Sequence, residues 1–244
     1  MISLLWKEIN SFFSSITGYL VIIIFLLINS AFLWLFSGSF NLIDGGYASI
    51  DSLFLLAPWV FMFLIPAVTM RLFADEKRSG TLELILTKPL TELQIIFSKF
   101  LAGFILVIFA LLPTLIYFYS MYQLGNPVGN IDTGGTIGSY IGLLFLAASY
   151  TAIGLFASSL TENQIVSFII ALALSFFFYF GFDQIAATGF LGGLELLIYN
   201  FGINEHYVSM SRGVIDSRDV IYFLTLIGVF VYATRLVLQS RKWS

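Results

Sequence analysis

The sequence predicts an all-α integral membrane protein with six transmembrane helices, and three observations lead to this prediction. Of the 244 residues, 59% are hydrophobic and only 10% are charged, whereas a soluble domain is nearer half apolar and a quarter charged. The apolar residues form six runs of spanning length, since about 20 residues cross the roughly 30 Å of bilayer hydrocarbon. The segments between the runs are too short for a catalytic domain. We therefore treat residues 1–244 as one transmembrane domain.

Residues 1–15 predict an amphipathic helix that lies in the membrane interface. One side of this helix is apolar and the other is polar, which is typical of an interfacial helix. The alternative is a signal peptide, which the absence of a small-x-small cleavage site disfavours. The apolar positions are Ile2, Leu5, Trp6, Ile9, Phe12 and Phe13, and the polar ones are Lys7, Glu8 and Asn10.

Six spans follow, at about 19–36, 52–70, 95–119, 138–160, 165–182 and 220–239. The second contains Pro58 and Pro66, which a membrane helix tolerates when its neighbours satisfy the freed carbonyls. Glycine, asparagine and proline make residues 120–137 a predicted loop. In the fourth span, small residues four apart allow a close approach of another helix; these pairs are Gly138/Gly142, Ala147/Thr151 and Gly154/Ser158.

Residues 183–219, between the fifth and sixth spans, predict short re-entrant or interfacial helices. The middle of this segment, 189–201, is apolar but interrupted by glycine and too short to cross a bilayer. A seventh span is the alternative. It would place the basic pair Arg241 and Lys242 on the opposite side of the membrane from Lys7.

Basic residues near the span ends predict the orientation, because cytoplasmic segments are enriched in Lys and Arg. With six spans and a cytoplasmic N-terminus, nine basic residues lie inside and only Arg212 and Arg218 lie outside. Both termini are then cytoplasmic. The inside residues are Lys7, Arg71, Lys77, Arg78, Lys88, Lys99, Arg235, Arg241 and Lys242.

Several classes of function are disfavoured by what the sequence lacks. It has no cysteine and a single histidine, His206, so disulfides, thiolate metal sites and a two-histidine site are excluded. No G-x-x-x-x-G-K-[ST] loop is present to bind ATP phosphates, and no basic tract indicates nucleic acid. Ionisable residues are nearly absent from the spans, whereas ion-coupled transporters need them at mid-membrane depth. We expect no catalytic residue, metal or cofactor in this chain and an external source of energy.

Residues 71–92, between the second and third spans, form the most highly charged segment. Residues 71–78 predict a helical extension of the second span. Gly80 breaks it, Thr81 is predicted to cap a new short helix, and Lys88-Pro89 ends that helix. Thr91 with Glu92 opens the third span. Eight charged side chains lie here: Arg71, Asp75, Glu76, Lys77, Arg78, Glu83, Lys88 and Glu92.

The short helix has an apolar face, formed by Leu82, Leu84, Ile85 and Leu86. An apolar face outside the bilayer core is typical of a protein-docking surface. The alternative is a plain amphipathic loop that rests on the membrane.

Two patterns resemble a known family. Residues 76–90, EKRSGTLELILTKPL, resemble the E-x-x-x-G-T-L-E-x-L-L-x-x-P-L signature of ABC-2 type transporter permeases. A second pattern, which includes His206, residues 212–216, 218–219 and 222–224 and the closing RKW at 241–243, is similar to the permease subgroup associated with gliding motility. Related export and copper-maturation permeases share much of this second pattern.

The resemblance implies a multi-pass protein of the bacterial inner membrane whose coupling helix docks on a separate ATP-binding subunit, which holds ATP and Mg²⁺. It also implies a second permease copy or a larger membrane subunit with an extracytoplasmic domain. Helices between spans five and six would form an outer gate, with His206, Arg212, Asp216, Arg218 and Asp219. The coupling residues would be Glu76, Arg78, Gly80, Thr81, Leu82, Glu83, Leu84, Leu86 and Pro89.

In this picture Glu76 pairs with basic residues near the docking groove, Gly80 sets the break between the helices, and Leu82, Leu84 and Leu86 fill the groove. The predicted function is that of a permease subunit, which couples a partner's ATP hydrolysis to translocation or to mechanical work on the envelope. Two alternatives remain: an ATP-independent secondary transporter or channel, and a structural scaffold of a motility or secretion complex.

Overall fold

The computed structural model describes residues 1–188, 193 and 195–240, and within these ranges the regular structure is entirely helical. The α-helices are α1 (Ile2–Phe13), α2 (Ile16–Ser30), α3 (Asp51–Thr69), α4 (Arg71–Arg78), α5 (Thr81–Leu86), α6 (Glu92–Leu111), α7 (Leu115–Leu124), α8 (Thr133–Leu160), α9 (Gln164–Phe176), α10 (Phe182–Ala187), α11 (Glu195–Tyr199), α12 (Ile203–Ser211) and α13 (Ser217–Ser240).

Among the described residues, six helical segments are long and apolar enough to cross a membrane: Ile16–Leu35, Asp51–Arg78, Glu92–Leu124, Thr133–Leu160, Gln164–Ala187 and Ser217–Ser240. The predicted all-α membrane fold with six spans is therefore confirmed. A π-helical turn extends α2, and a second joins α9 to α10. A short 3₁₀ turn that contains Pro113 joins α6 to α7.

The fourth span, α8, forms the centre of the bundle. It is 78% buried over its most apolar window, against 67% and 61% for the second and third spans and 22% for each of the other three. Small residues allow the neighbouring helices to approach α8 closely. At Gly154, for example, an added Cβ would lie 2.9 Å from Cβ of Thr69 on α3. The second, third and fourth spans are therefore the core, and the remaining three surround it.

The loop between the third and fourth spans is shorter than the predicted 120–137. Helix α7 continues to Leu124, and α8 begins at Thr133 despite its two glycines. Asp132 explains the early start, because its Oδ1 accepts a hydrogen bond of 2.9 Å from the amide of Gly135. A side-chain acceptor at this position stabilises the first helical turn.

Helix α1 presents a different face to the bundle than its sequence pattern predicts. Leu4, Glu8 and Phe12, which are spaced four apart, are buried, whereas Ile2 and Trp6 of the predicted apolar side are 72% and 58% exposed. Glu8 was assigned to the polar, water-facing side, and that assignment is wrong. The reason is a buried partner for its carboxylate, described below.

The predicted helices of 183–219 are present in part. Helix α11 has five residues, too few to cross a bilayer, and α12 has nine. Residues 189–192 and 194 of the predicted 189–201 segment lie outside the described residues, as do Arg241 and Lys242 of the orientation count.

Candidate functional site

The segment after the second span turns sharply and forms a short helix, as the sequence predicts. Gly80 has φ +70°, a left-handed conformation that glycine adopts without steric cost. Helix α5 ends at Leu86, before Pro89. The predicted cap is wrong, because Gly80 occupies the N-cap position without a side-chain cap bond. The hydroxyl of Thr81 instead lies 2.9 Å from that of Ser79.

Helix α5 has one buried and one exposed side. Leu82 and Ile85 are 2% and 6% exposed and belong to the core, while Leu84 is 65% exposed. Leu82 was predicted to fill a partner's groove, but it packs inside this chain; Leu86 is partly buried. We call seven exposed residues of this segment the docking face: Arg78, Thr81, Glu83, Leu84, Thr87, Lys88 and Pro89. The turn residues Ser79 and Gly80 are also exposed.

Glu76 lies on the opposite side of α4 from the docking face. It is 8% exposed, and its Oε1 lies 2.8 Å from Nζ of Lys99 and 3.3 Å from Nζ of Lys7. The predicted pairing of Glu76 with basic residues near the docking groove stays a prediction. Its ion pairs are made within the chain.

Ser158 joins α4 to the central helix α8. Its Oγ accepts hydrogen bonds from the amides of Phe73 and Ala74, at 2.9 and 3.1 Å, and donates to the carbonyl of Met70 at 2.9 Å. These backbone groups flank the break between α3 and α4, where the regular helical bonding is interrupted. The hydroxyl thereby satisfies the buried polar groups of the break.

Two further contacts hold α4 against the link between α8 and α9. The Lys77 ammonium donates to the carbonyl of Ser159, and the Gln164 side chain donates to the carboxylate of Asp75. Both contacts join α4 to the short turn at the end of the fourth span. Helices α4, α8 and α9 therefore meet beneath the docking face.

On its other side α4 contacts the N-terminal segment. A guanidinium nitrogen of Arg71 donates to the hydroxyl of Thr17 at 2.7 Å, and the same group lies 4.4 Å from the ring centroid of Phe12. Burial would lower the pKa of Lys7, but the carboxylates of Glu8 and Glu76 outweigh it and raise that pKa. Lys7 is therefore held in its charged form.

At the other end of the bundle, His206 joins α12 to α13. Its Nδ1 lies 2.7 Å from the Asp219 carboxylate and its Nε2 lies 2.9 Å from the carbonyl of Asn200. The ring stacks on Tyr222 with centroids 3.9 Å apart. Asp219 also accepts 2.7 Å from the hydroxyl of Ser209. The ring therefore connects the Asp219 carboxylate on α13 to the backbone that precedes α12.

The other predicted gate residues lie on the surface. Arg212, Asp216 and Arg218 are exposed. A hydrogen bond from the backbone amide of Arg218 lowers the pKa of Asp216, as is usual for a carboxylate at a helix start. Tyr199 has its pKa raised to about 12, mainly by a hydrogen bond to Glu205.

Helix α12 packs directly on the start of α8. A Cβ added to Gly138 would lie 2.8 Å from Cα of Gly213, and one added to Gly142 would lie 3.3 Å from Cβ of Met210. The hydroxyl of Tyr207 donates to the carbonyl of Phe54 at 2.6 Å. Beside this contact lies a cavity of about 720 Å³, whose lining includes Tyr47, Asp51, Trp59, Ser139, Tyr179 and Arg212.

Sequence reasoning missed the residues that position this site. Lys99 was used only to orient the spans, and Ser158 only as a small packing residue. A lysine inside the apolar stretch 95–111 needs a nearby acceptor, because a buried unpaired charge is costly. That signal could have directed attention to Glu8 and Glu76, but it does not say which carboxylate is close in space.

The geometry is that of a multi-pass membrane protein in which a short helix projects from the link between two core spans. Among the described residues, no group of three metal-ligating side chains is present. Residues 2–199 match the model of the ABC-2 family transporter proteins, which covers most of the chain, so the chain belongs to that family. No curated protein gives a significant match. Family membership makes the chain a membrane component of a transporter and implies an ABC ATP-binding partner.

Proposed function

We propose that this chain couples ATP hydrolysis by the ABC ATP-binding partner to movement of its own spans, in a system of the gliding motility or export type. The chain works in the bacterial inner membrane with both termini in the cytoplasm, beside a second permease copy or a larger membrane subunit with an extracytoplasmic domain. The partner holds ATP and Mg²⁺.

The observation that carries this proposal is the position of the docking face. Leu84 is 65% exposed on a helix whose other side, at Leu82 and Ile85, is buried in the bundle. A large exposed apolar residue beside the exposed Glu83 suits a protein groove. Helix α5 packs on α4, and α4 contacts α1, α6, α8 and α9, so a displacement of α5 reaches the core spans through packed helices.

In this proposal, α11–α13 are the helices that move at the outer side of the membrane when α5 is displaced. Rigid helices transmit a displacement along their length, and α8 contacts α4 at Ser158 and α12 at Gly138. Closure of the ATPase dimer would push on α5 and shift α8, which moves α12 and the His206 contact. The result is either translocation of a substrate or mechanical work on the envelope.

The double variant Glu83→Ala/Leu84→Ala tests the docking face. We expect the concentration of ATP-binding subunit that gives half-maximal ATPase stimulation to rise at least about tenfold. The measurement uses the subunit that co-purifies with the tagged wild-type chain, reconstituted with purified variants. Insertion and thermal stability should not change, because both side chains are exposed.

Leu160→Ala is the matched control, since Leu160 is 45% exposed at the end of α8 and lies outside the docking face. It should leave stimulation unchanged. Deleting residues 79–88 should abolish retention of the ATPase. An ATPase still held and stimulated by that deletion would contradict the docking role and favour a scaffold or an ATP-independent transporter.

A further inference from the structure

Four charged side chains meet where α1, α4 and α6 converge, and we call them the Lys99 cluster: Lys7, Glu8, Glu76 and Lys99. The Lys99 side chain is 0% exposed, and those of Glu8 and Glu76 are 10% and 11% exposed. Lys7 is more peripheral, at 57%. Two positive and two negative groups make the cluster neutral overall.

Lys99 contacts all the elements that meet here. Its Nζ lies 2.8 Å from Oε1 of Glu76, 3.1 Å from Oε1 of Glu8 and 2.7 Å from the carbonyl of Leu72. The ammonium donates hydrogen bonds to Glu8 and to the carbonyl of Leu72, and its contact with Glu76 is an ion pair. One atom on α6 thus contacts α1 once and α4 twice.

Stability alone is a weak reason for such a cluster. The cost of removing two charges from water offsets much of the attraction in a buried ion pair. Apolar residues of similar volume often stabilise a protein equally well. Ion pairs do specify which groups meet and in what register. Glu76 also retains a second buried oxygen, Oε2, without a hydrogen-bond partner among the described residues. The cluster is therefore suited to defining a position.

We propose that Lys99 is a positioning residue that holds α1, α4 and α6 as one unit and so sets the orientation of the docking face. Lys99 does not belong to that face, and its effect passes through α4. The N-terminal helix α1 becomes part of the coupling apparatus, because Glu8 fixes it to the same nitrogen that holds Glu76. This inference rests on the proposed function for its effect on ATPase coupling, but the rigid unit is a property of the chain alone.

The absence of cysteine from the sequence allows a direct test. Two introduced cysteines, Asn10→Cys on the exposed side of α1 and Thr87→Cys just after α5, carry spin labels, and pulsed electron resonance measures their distance in lipid nanodiscs. Unlabelled versions of each variant, without these cysteines, are assayed for ATPase stimulation.

The triple variant Glu8→Gln/Glu76→Gln/Lys99→Met removes the three buried charges and leaves only that of Lys7, whose side chain is 57% exposed to solvent. It therefore separates position from stability. We expect wild-type thermal stability, a broadened or shifted distance, and about a fivefold or greater rise in the ATPase concentration for half-maximal stimulation. Glu8→Leu is a second variant, which leaves Lys99 paired with Glu76. It should broaden the distance even if the triple variant does not fold.

Ser3→Ala is the matched control, because Ser3 lies on the same helix α1, is exposed and does not belong to the cluster. Its distance and coupling should equal those of the wild type. A wild-type distance in Glu8→Leu, or full coupling with a wild-type distance in a folded triple variant, overturns the proposal. Failure of the proposed function has a different signature, since Glu83→Ala/Leu84→Ala would then not affect coupling while the spin-label distances still responded to the cluster.

Discussion

The two ends of the helical bundle are held together by different chemistry. At the α5 end, buried or half-buried charges join α4 to its neighbours, with Lys99 bonded to Glu8 and Glu76. At the α12 end, Gly138 and Gly142 bring α8 close to α12 and its following turn, and most of the charges lie on the surface. The contact of His206 with the buried Asp219 carboxylate is the principal polar side-chain contact described inside that end.

This difference teaches how each end is specified. An ion pair or charge-assisted hydrogen bond needs a particular partner at a particular angle, so the α5 end is specified atom by atom. Close packing of small residues needs only complementary shape. At the α12 end, the glycines of α8 therefore determine how closely α12 packs. The proposed coupling role depends on the first kind of specification, because it requires a displacement of α5 to reach defined neighbours.

The largest effect is expected for Ser158→Ala, which tests the atom-by-atom specification of the α5 end. The change removes three hydrogen bonds and leaves two amides of α4 and one carbonyl without their buried partner. Each such group costs about 1–3 kcal/mol, so we expect a loss of about 3 kcal/mol in the free energy of unfolding. Titration with a denaturing detergent, followed by circular dichroism, measures it.

Ser120→Ala is the control for that prediction, because Ser120 is half-buried and its hydroxyl bonds only to the carbonyl of Ile116 on its own helix. It should change the unfolding free energy by less than about 0.5 kcal/mol. Equal effects of the two substitutions would mean that the Ser158 contacts do not hold α4.

The backbone of the α5 end could be predicted from the sequence, whereas most of its side-chain contacts could not. Gly80 and Pro89 act locally, so the turn and the end of α5 follow from residue type alone. The prediction for Glu8 was wrong because helical periodicity shows which residues share a face of a helix but not what that face contacts. In the sequence, Lys99 stands out only as a charged residue in an apolar stretch. Its partners, Glu8 and Glu76, lie 91 and 23 positions away. Such long-range contacts depend on how the spans pack.

A smaller effect is expected for Gly138→Ala, which tests whether shape specifies the α12 end. The new Cβ would lie 2.8 Å from both Cα of Gly213 and the carbonyl oxygen of Met210, so backbone must move. Overpacking of this kind costs about 1–3 kcal/mol, and we expect about 2 kcal/mol in the same detergent titration.

Gly228 in α13 provides the matched control, because a Cβ added there meets nothing within 4 Å. Gly228→Ala should stabilise the chain slightly, since alanine favours the helix by about 1 kcal/mol over glycine. If both alanine variants were equally stable, close contact between α8 and α12 would not be what holds this end.

The smallest effect is expected for His206→Phe, which removes the polar contact of the α12 end and keeps an aromatic ring on Tyr222. The variant loses the bonds to Asp219 and Asn200, but Asp219 retains its bond from Ser209. We therefore expect a loss of about 1 kcal/mol, seen as faster amide hydrogen exchange in residues 195–211. Exchange in 71–86 should not change, because the α5 end has its own contacts. Faster exchange in both segments would show that the two ends are not independently specified, and the contrast between them would fail.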